Sequence, residues 1–219
     1  MNRKLDHRKS FAEKMTDGLH VELSHVKTDK KNKKEVHQGF LVAIELGDRE
    51  SFDRFMENGV DCRLYRDMAL VAACRYSQLE MADILIGQGC DINCQNYRPL
   101  REAAELDLED TVDFLIEKGV DITVSDNFAV TRAARYGNFG ILLKFVKLGA
   151  NIERLSDDMR KRMVTNPVTK IKLLTEDSSS EVVEMIVQEH CRQKRYSALE
   201  EFESAPQWLK PYYMRHLFN

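Results

Sequence analysis

Residues 98–127 read RPLREAAELDLEDTVDFLIEKGVDITVSDN, and this stretch decides the fold because its key positions recur along the chain. Its glycine belongs to a ladder with a spacing of 30 residues, at Gly59, Gly89, Gly119 and Gly149. An alanine ladder runs in phase with it, at Ala43, Ala73, Ala103 and Ala133. A fixed period of this size is typical of stacked copies of one small unit. We therefore predict four repeats, at 38–67, 68–97, 98–127 and 128–157.

Each unit contains two predicted helices separated by a polar turn. The first carries small residues at its centre, such as Ala103 and Ala104, which let neighbouring helices approach closely. The second carries a stripe of apolar residues at helical spacing, such as Val112 and Leu115, for burial against the adjacent units. The ladder glycine follows, where a left-handed cap ends a helix at the least steric cost. Because no unit can bury its apolar face alone, the array must be stabilised by stacking.

The segments RPLREAA with LIEKGVDI, and MALVAAC with LIGQGCDIN, resemble the ankyrin-repeat pattern of a TPLHxAA helix start and an LLxxGADVN ending. The resemblance covers residues 38–157 and implies an all-α ankyrin-repeat solenoid of helix–turn–helix units with short return loops. Ankyrin units usually have about 33 residues, and the residues missing here fall in the return loop, so we expect a tight loop there. Such shortened units are similar to the ankyrin arrays of large DNA viruses and phages, which implies a viral or phage accessory protein.

Residues 1–37 do not fit the repeat and form a basic N-terminal extension. We expect a helix around Lys9 to Met15 and a short strand at His20–Val26. The lysine-rich run KTDKKNKKE, from Lys27 to Glu35, has two interpretations. It is either a solvated, mobile connector or hairpin tip, or a patch for nucleic acid or an acidic partner.

Residues 158–219 are predicted to form a degenerate repeat, with Met163 and Pro167 as its markers, followed by a helical C-terminal cap. We expect one helix from Glu181 to about Tyr196 and a last short helix that begins at Pro206. The C-terminal residues are unusually aromatic, with Trp208, Tyr212, Tyr213 and Phe218 close together. They either dock back as a cap or anchor a partner. Viral ankyrin proteins of the poxvirus type often end in an F-box-like segment that recruits ubiquitin ligases, although a convincing LPxE-type start is missing here.

Composition and motifs bound the function. The net charge is -3, so no global field favours nucleic acid, and we do not expect it as the main partner. We expect no membrane span and no signal peptide, and hence an intracellular, cytoplasmic protein, in the host cytoplasm if it is viral. Phosphate loops, nucleophile elbows and zinc motifs are missing, so we predict no enzyme, no catalytic residue and no cofactor. The adjacent His190 and Cys191 are interpreted as structural.

The cysteines indicate free thiols in a reducing compartment. There are five of them, an odd number without framework spacing. Cys90 and Cys94 could be half of a metal site, but a tetrahedral site needs four ligands and no second close pair accompanies them. We therefore expect no bound metal. The recurring Asp61, Asp91 and Asp121 are expected to accept local backbone hydrogen bonds in the return loops.

The contact surface follows from the resemblance, since first helices and return loops form the concave face of an ankyrin stack. The residues just after the packed alanines are left free by scaffold packing, and arginine and tyrosine dominate many binding interfaces. The alternative is that arginine and glutamate pair between neighbouring units as ordinary surface ion pairs. The predicted partner-binding residues are Glu45, Leu46, Tyr65, Arg66, Arg75, Tyr76, Tyr97, Glu105, Leu106, Phe128, Arg135 and Tyr136.

Three functions remain open from the sequence. In the first, the repeats bind and occlude a host protein. In the second, the protein is an adaptor that holds a target on the repeats and recruits other machinery, such as a ubiquitin ligase, through its aromatic C-terminus. In the third, the lysine run binds nucleic acid, which predicts a steep salt dependence. The oligomeric state is open, because apolar groups at either end of a stack could pair two copies.

Overall fold

The computed structural model describes residues 30–152, 155–156, 159, 170–171, 174–193 and 195–218. Regular structure over these residues is helical, and no strand occurs among them. This confirms the predicted all-α class. The helices are α1 (Lys30–Leu46), α2 (Arg49–Glu57), α3 (Leu64–Arg75), α4 (Leu79–Gly87), α5 (Cys94–Glu105), α6 (Glu109–Glu117), α7 (Val124–Tyr136), α8 (Phe139–Lys147), α9 (Ser180–Gln193), α10 (Arg195–Ser204) and α11 (Lys210–Leu217).

The first eight helices follow one another as four pairs, and their first helices after α1 start 30 residues apart, at Leu64, Cys94 and Val124. The repeat bounds of 38–67, 68–97, 98–127 and 128–157 stay a prediction. The alanines of the ladder have no solvent-exposed surface, which is the burial that close helix packing requires. The stripe residues of the second helices, such as Phe52, Leu85 and Leu115, are equally inaccessible. The repeat pattern therefore identified both helices of each unit and the side of each helix that is buried.

Ladder glycines end the second helices as predicted. At Gly89 the backbone φ is 90°, a left-handed conformation in which a side chain would be strained. The Gly89 amide donates to the Ile86 carbonyl at 2.9 Å, and the next amide, of Cys90, donates to the Leu85 carbonyl at 3.0 Å. These two bonds satisfy carbonyls that the helix end would otherwise leave without a partner.

The aspartates of the return loops accept local backbone hydrogen bonds, which confirms the interpretation of that ladder. In each case the aspartate Oδ1 atom accepts a hydrogen bond from the backbone N–H of the residue two positions later. The distances are 3.1 Å for Asp61, 2.9 Å for Asp91 and 2.8 Å for Asp121. Asp121 also accepts the Thr123 hydroxyl at 2.7 Å. Hydrogen bonds from Thr123 lower the pKa of this carboxyl.

Two return loops contain a feature that the sequence did not predict. Tyr65, Arg66 and Asp67 have φ values of 55°, 60° and 61°, so three consecutive residues are left-handed. Gln95, Asn96 and Tyr97 repeat this turn with φ values of 52°, 60° and 57°. Right-handed helix starts only after each turn, which places Pro99 in a first helical turn, where proline is tolerated.

The N-terminal boundary differs from the expectation. Helix α1 begins at Lys30, so residues 30–35 are helical and the prediction of a connector or hairpin tip is wrong for them. Lysine is a good helix former, and the buried positions of His37, Phe40 and Ile44 continue the helix with a suitable spacing. The predicted Lys9–Met15 helix and His20–Val26 strand lie outside the described residues.

The C-terminal region also needs one correction. Helix α9 begins at Ser180, close to the predicted start, and ends at Gln193. The last helix begins at Lys210, so it does not start at Pro206, and the proline near its N-terminus is Pro211. Pro206 instead precedes a turn in which its carbonyl accepts the Leu209 amide at 3.0 Å. Met163 and Pro167, the markers of the degenerate repeat, lie outside the described residues.

The chain divides into two compact units. The N-terminal unit comprises Met1–Ala103 and Asp110–Val120, and the C-terminal unit comprises Ala104–Glu109 and Asp121–Asn219. In the core of the N-terminal unit, the Phe40 ring stacks on Phe52 with centroids 5.3 Å apart. In the C-terminal unit, Tyr213 and Leu217 of α11 are buried with Val182 and Ile186 of α9.

Candidate protein-binding surface

The ends of the first helices present large apolar side chains to solvent at a constant register. Tyr76 is the residue after α3, Leu106 follows α5, and Tyr136 is the last residue of α7. Their exposed fractions are 40%, 43% and 51%. Leu46, the equivalent residue of the first repeat, is half-buried.

Return loops and the helix starts beside them supply further exposed residues. Tyr65 is 54% exposed on the left-handed turn, where Arg66 is exposed beside it. Phe128, in the first turns of α7, is 40% exposed. Tyr97 lies on the second left-handed turn and is half-buried.

The predicted residues are distributed over both units. The N-terminal unit carries Glu45, Leu46, Tyr65, Arg66, Arg75, Tyr76 and Tyr97. The C-terminal unit carries Glu105, Leu106, Phe128, Arg135 and Tyr136. In both units the exposed members lie on the first helices and their loops, and whether they bind a partner stays a prediction.

Ion pairs between neighbouring repeats exist alongside this exposed set. Arg75 Nη1 lies 2.9 Å from Glu102 Oε2 in the N-terminal unit. In the C-terminal unit, Arg132 Nη1 lies 3.0 Å from Glu105 Oε2. Two predicted contact residues, Arg75 and Glu105, therefore also pair between repeats. Since the Arg75 side chain is 47% exposed, we expect its pair to stabilise the fold by about 1 kcal/mol or less.

A continuous polar chain joins the return loop to the end of α3 in the N-terminal unit. Gln95 Nε2 donates to the Arg66 carbonyl at 2.9 Å, and Arg98 Nη1 donates to Gln95 Oε1 at 2.8 Å. Arg98 Nε then donates to Glu102 Oε1 at 2.6 Å. The other oxygen of Glu102 accepts from Arg75, so one carboxylate holds two guanidinium groups. We call the line Arg66–Gln95–Arg98–Glu102–Arg75 the arginine row.

Three exposed apolar residues lie outside the predicted set of partner-binding residues: Leu148, Met214 and Phe218, with exposed fractions of 48–55%. Of these, Phe218 belongs to the aromatic C-terminus for which a cap and a partner anchor were the two interpretations. Leu148 could have been found from the repeat, because the positions before the ladder glycines are otherwise polar, as in Asn58, Gln88 and Lys118. Met214 lies on α11 and Phe218 directly follows its last residue, four positions later in the sequence.

The cysteines of the structure are buried free thiols. Burial raises the pKa of Cys74 and Cys94 to about 12, so these thiols stay protonated and are poor nucleophiles. Cys90 Sγ lies 3.6 Å from Cys62 Sγ, a contact between adjacent repeats. In the described part of the chain, no group of three or more His, Cys, Asp or Glu side chains could hold a metal ion.

His190, beside Cys191, belongs to a buried network of the C-terminal unit. Its Nδ1 atom lies 3.1 Å from the Tyr213 hydroxyl, which donates to Glu201 Oε2 at 3.2 Å. These contacts join α9, α10 and α11. The network therefore accounts for Tyr213 as part of the cap, while Phe218 remains exposed.

Over the described residues, the model contains no helix with the length and apolar character that a membrane span requires.

The comparisons with known proteins agree with the repeat geometry. A family model described as "Ankyrin repeats (3 copies)" matches residues 40–126. No curated protein gives a significant match. Ankyrin repeats are generic protein–protein interaction modules. The matched segment spans α1 to the start of α7 and contains the 30-residue register described above. Regular structure in the described part of the chain is therefore helical, and residues 40–126 match the ankyrin-repeat family model.

Proposed function

We propose that this chain is a non-catalytic binding module that holds a protein partner on its first helices and return loops. The observation that carries the proposal is the recurrence of exposed Tyr76, Leu106 and Tyr136 at one register. Aromatic residues and arginine contribute strongly to protein interfaces. Arg75 in the N-terminal unit and Arg135 in the C-terminal unit each add a charged group next to a tyrosine in the sequence.

The proposed biological role is occlusion of a host protein by a viral or phage accessory factor in the host cytoplasm. The shortened repeat supports this role through its similarity to viral and phage arrays. A binding module without a catalytic group can inhibit a host protein by covering the surface that it binds. The partner is a protein in this account, with neither nucleic acid nor a membrane as the main target.

Affinity capture from host lysate, followed by mass spectrometry, tests this proposal. We expect wild type to capture a protein that is lost when Arg75, Tyr76, Tyr97, Arg135 and Tyr136 are all changed to alanine. A control variant replaces four exposed residues at the ends of the second helices: Glu57, Gln88, Glu117 and Lys147. Retention of the same partner by the five-alanine variant, with circular dichroism showing an intact fold, would exclude this surface.

An adaptor function is the second candidate, and the exposure of Met214 and Phe218 favours it. Deleting residues 206–219 would be a poor test, because it also removes the buried Tyr213 and Leu217. The double change Met214→Ser and Phe218→Ser leaves those buried contacts in place. An adaptor should then keep its target and lose the recruited machinery, whereas an occluding protein should lose neither binding nor inhibition.

A further inference from the structure

The arginine row of the N-terminal unit carries an excess of positive charge on a fixed surface. Arg66, Arg75 and Arg98 contribute three guanidinium groups, whereas Glu102 is the single carboxylate within the row. The Glu102 side chain is only 14% exposed, and both of its oxygens are occupied by arginines. It therefore holds Arg75 and Arg98 in position without neutralising both.

Arg66 adds an exposed guanidinium that pairs with no carboxylate among the described residues. The neighbouring Asp67 does not compensate it at the surface. One Asp67 oxygen is buried, and the pKa values of the Cys90 and Cys94 thiols are raised by burial and, to a smaller extent, by the nearby Asp67 carboxylate. The loop carbonyl of Arg66 is fixed by Gln95, so the start of the row is also held in place.

Exposed tyrosines lie at both ends of the row. Tyr65 is at the start of α3 and Tyr76 directly follows its end, with exposed fractions of 54% and 40%. The right-handed part of α3 between them rises roughly 12 Å, at about 1.5 Å per residue. An extended peptide covers that distance with about four residues, at about 3.3 Å each. The row thus has the length of a short linear motif, with an apolar contact at each end.

We propose that the arginine row binds an extended acidic segment of a partner protein, with carboxylates on Arg66, Arg75 and Arg98 and apolar side chains on Tyr65 and Tyr76. This inference rests on the proposed function and names the chemical class of the partner. Arginine forms bidentate, charge-assisted bonds with carboxylates. Because Glu102 already holds the guanidinium groups of Arg75 and Arg98, these two side chains lose little entropy when a ligand binds.

An acidic peptide fits this unit better than a nucleic acid does. The second helices of the same unit carry eight acidic residues, Glu50, Asp53, Glu57, Glu80, Asp83, Asp110, Asp113 and Glu117. They carry two basic ones, Arg49 and Arg54, and Lys118 directly follows α6. A long polyanion would be repelled by that negative field, whereas a segment of a few residues contacts the row alone.

Selection of the full-length protein against a library of random peptides tests the proposal. We expect the selected peptides to be enriched in Asp and Glu relative to the unselected library. The double variant Arg66→Glu/Arg75→Glu should weaken binding of a selected peptide by about tenfold or more and should instead select peptides rich in Lys and Arg. The control, Arg49→Glu/Arg54→Glu, reverses two arginines on α2 and should behave as wild type.

The outcomes separate this inference from the proposed function. If wild type selects neutral or basic peptides, or selects none, the proposal that the arginine row binds an acidic segment would be overturned. The proposed function would survive either result if lysate capture still depends on the tyrosines, and would fail only with that capture. A labelled single-stranded RNA that binds more tightly than the peptides, with an affinity that falls steeply with salt, would replace the proposal by nucleic-acid recognition.

Discussion

At the scale of single residues, the repeats meet one backbone requirement with different side chains. The residue that follows Leu46, Tyr76, Leu106 or Tyr136 has a left-handed backbone conformation in every repeat. Its φ value is 67° at Gly47, 54° at Ser77, 60° at Asp107 and 79° at Gly137. Glycine adopts this conformation without steric cost, whereas Ser77 and Asp107 carry a Cβ atom into it. The polar turn was predictable from the sequence, but the left-handed conformation of Ser77 was not.

We predict opposite effects on stability when the residue is changed to glycine at one of these positions and from glycine at another. Asp107→Gly should stabilise the protein by about 0.5 to 1 kcal/mol, because it removes backbone strain from an exposed residue. Gly137→Ala should destabilise it by about 1 to 2 kcal/mol. The added Cβ atom meets nothing within 4 Å, so the cost is purely conformational. Urea unfolding measures the change in the free energy of unfolding for both variants. Changes of the same sign would contradict the left-handed conformation at these two positions.

His37 is a buried residue whose charge we expect to affect stability. It is 2% exposed, and its ring lies 4.9 Å from that of Tyr65. Neither ring nitrogen has a hydrogen-bond partner among the described residues. Burial lowers the pKa of His37 below its ordinary value of 6.5, against a smaller opposing effect of Asp61. The folded state thus favours the neutral ring.

We predict that the free energy of unfolding decreases as the pH falls through 6.5 towards the lowered pKa of folded His37. The unfolded chain binds the proton more readily over that range, so protonation favours unfolding. His37→Leu should lessen this loss and should not destabilise the protein at pH 7, because it removes a buried polar group without a partner. Thermal unfolding of both proteins from pH 7.5 to 5.5 is the measurement. Parallel pH profiles would contradict the assignment.

At the scale of elements, regular spacing made the helix pairs predictable. The glycine and alanine ladders identified each helix end and each packed centre, because both have a fixed steric cause. Two left-handed turns were not predictable, since Tyr65, Arg66, Gln95 and Tyr97 are residues that rarely adopt this conformation. The start of α1 was not predicted, because the charge of the lysine run indicated a solvated segment. The helix is stabilised by the buried residues that follow the lysines.

The C-terminal cap provides a prediction at this scale. Tyr213 has no exposed surface, and its hydroxyl contacts His190 of α9 and Glu201 of α10. Tyr213→Phe removes this bridge and should destabilise the C-terminal unit by about 1 to 3 kcal/mol, because buried polar partners lose a hydrogen bond. Tyr212→Phe, at the half-exposed neighbouring tyrosine, is the control. Equal unfolding midpoints for the two variants would show that the bridge contributes nothing.

At the scale of the whole molecule, the sequence predicted the class of the fold, whereas the predicted partner-binding residues stay a prediction. The arginine row was not predictable, because it depends on which of several nearby carboxylates each guanidinium contacts. Arg75 pairs with Glu102, and Glu105 pairs with Arg132, choices that only three-dimensional packing decides. Sequence spacing places these residues on one side of a helix, and packing selects the partners.

The central claim is that the first helices and their loops bind a protein partner. The most direct test is the dissociation constant of the captured partner for wild type, for the five-alanine variant at Arg75, Tyr76, Tyr97, Arg135 and Tyr136, and for the second-helix control. We predict that the five changes weaken binding by about 30-fold or more, equivalent to about 2 kcal/mol, while the control matches wild type. Binding by the five-alanine variant within about fivefold of wild type, or about 1 kcal/mol, would contradict the claim.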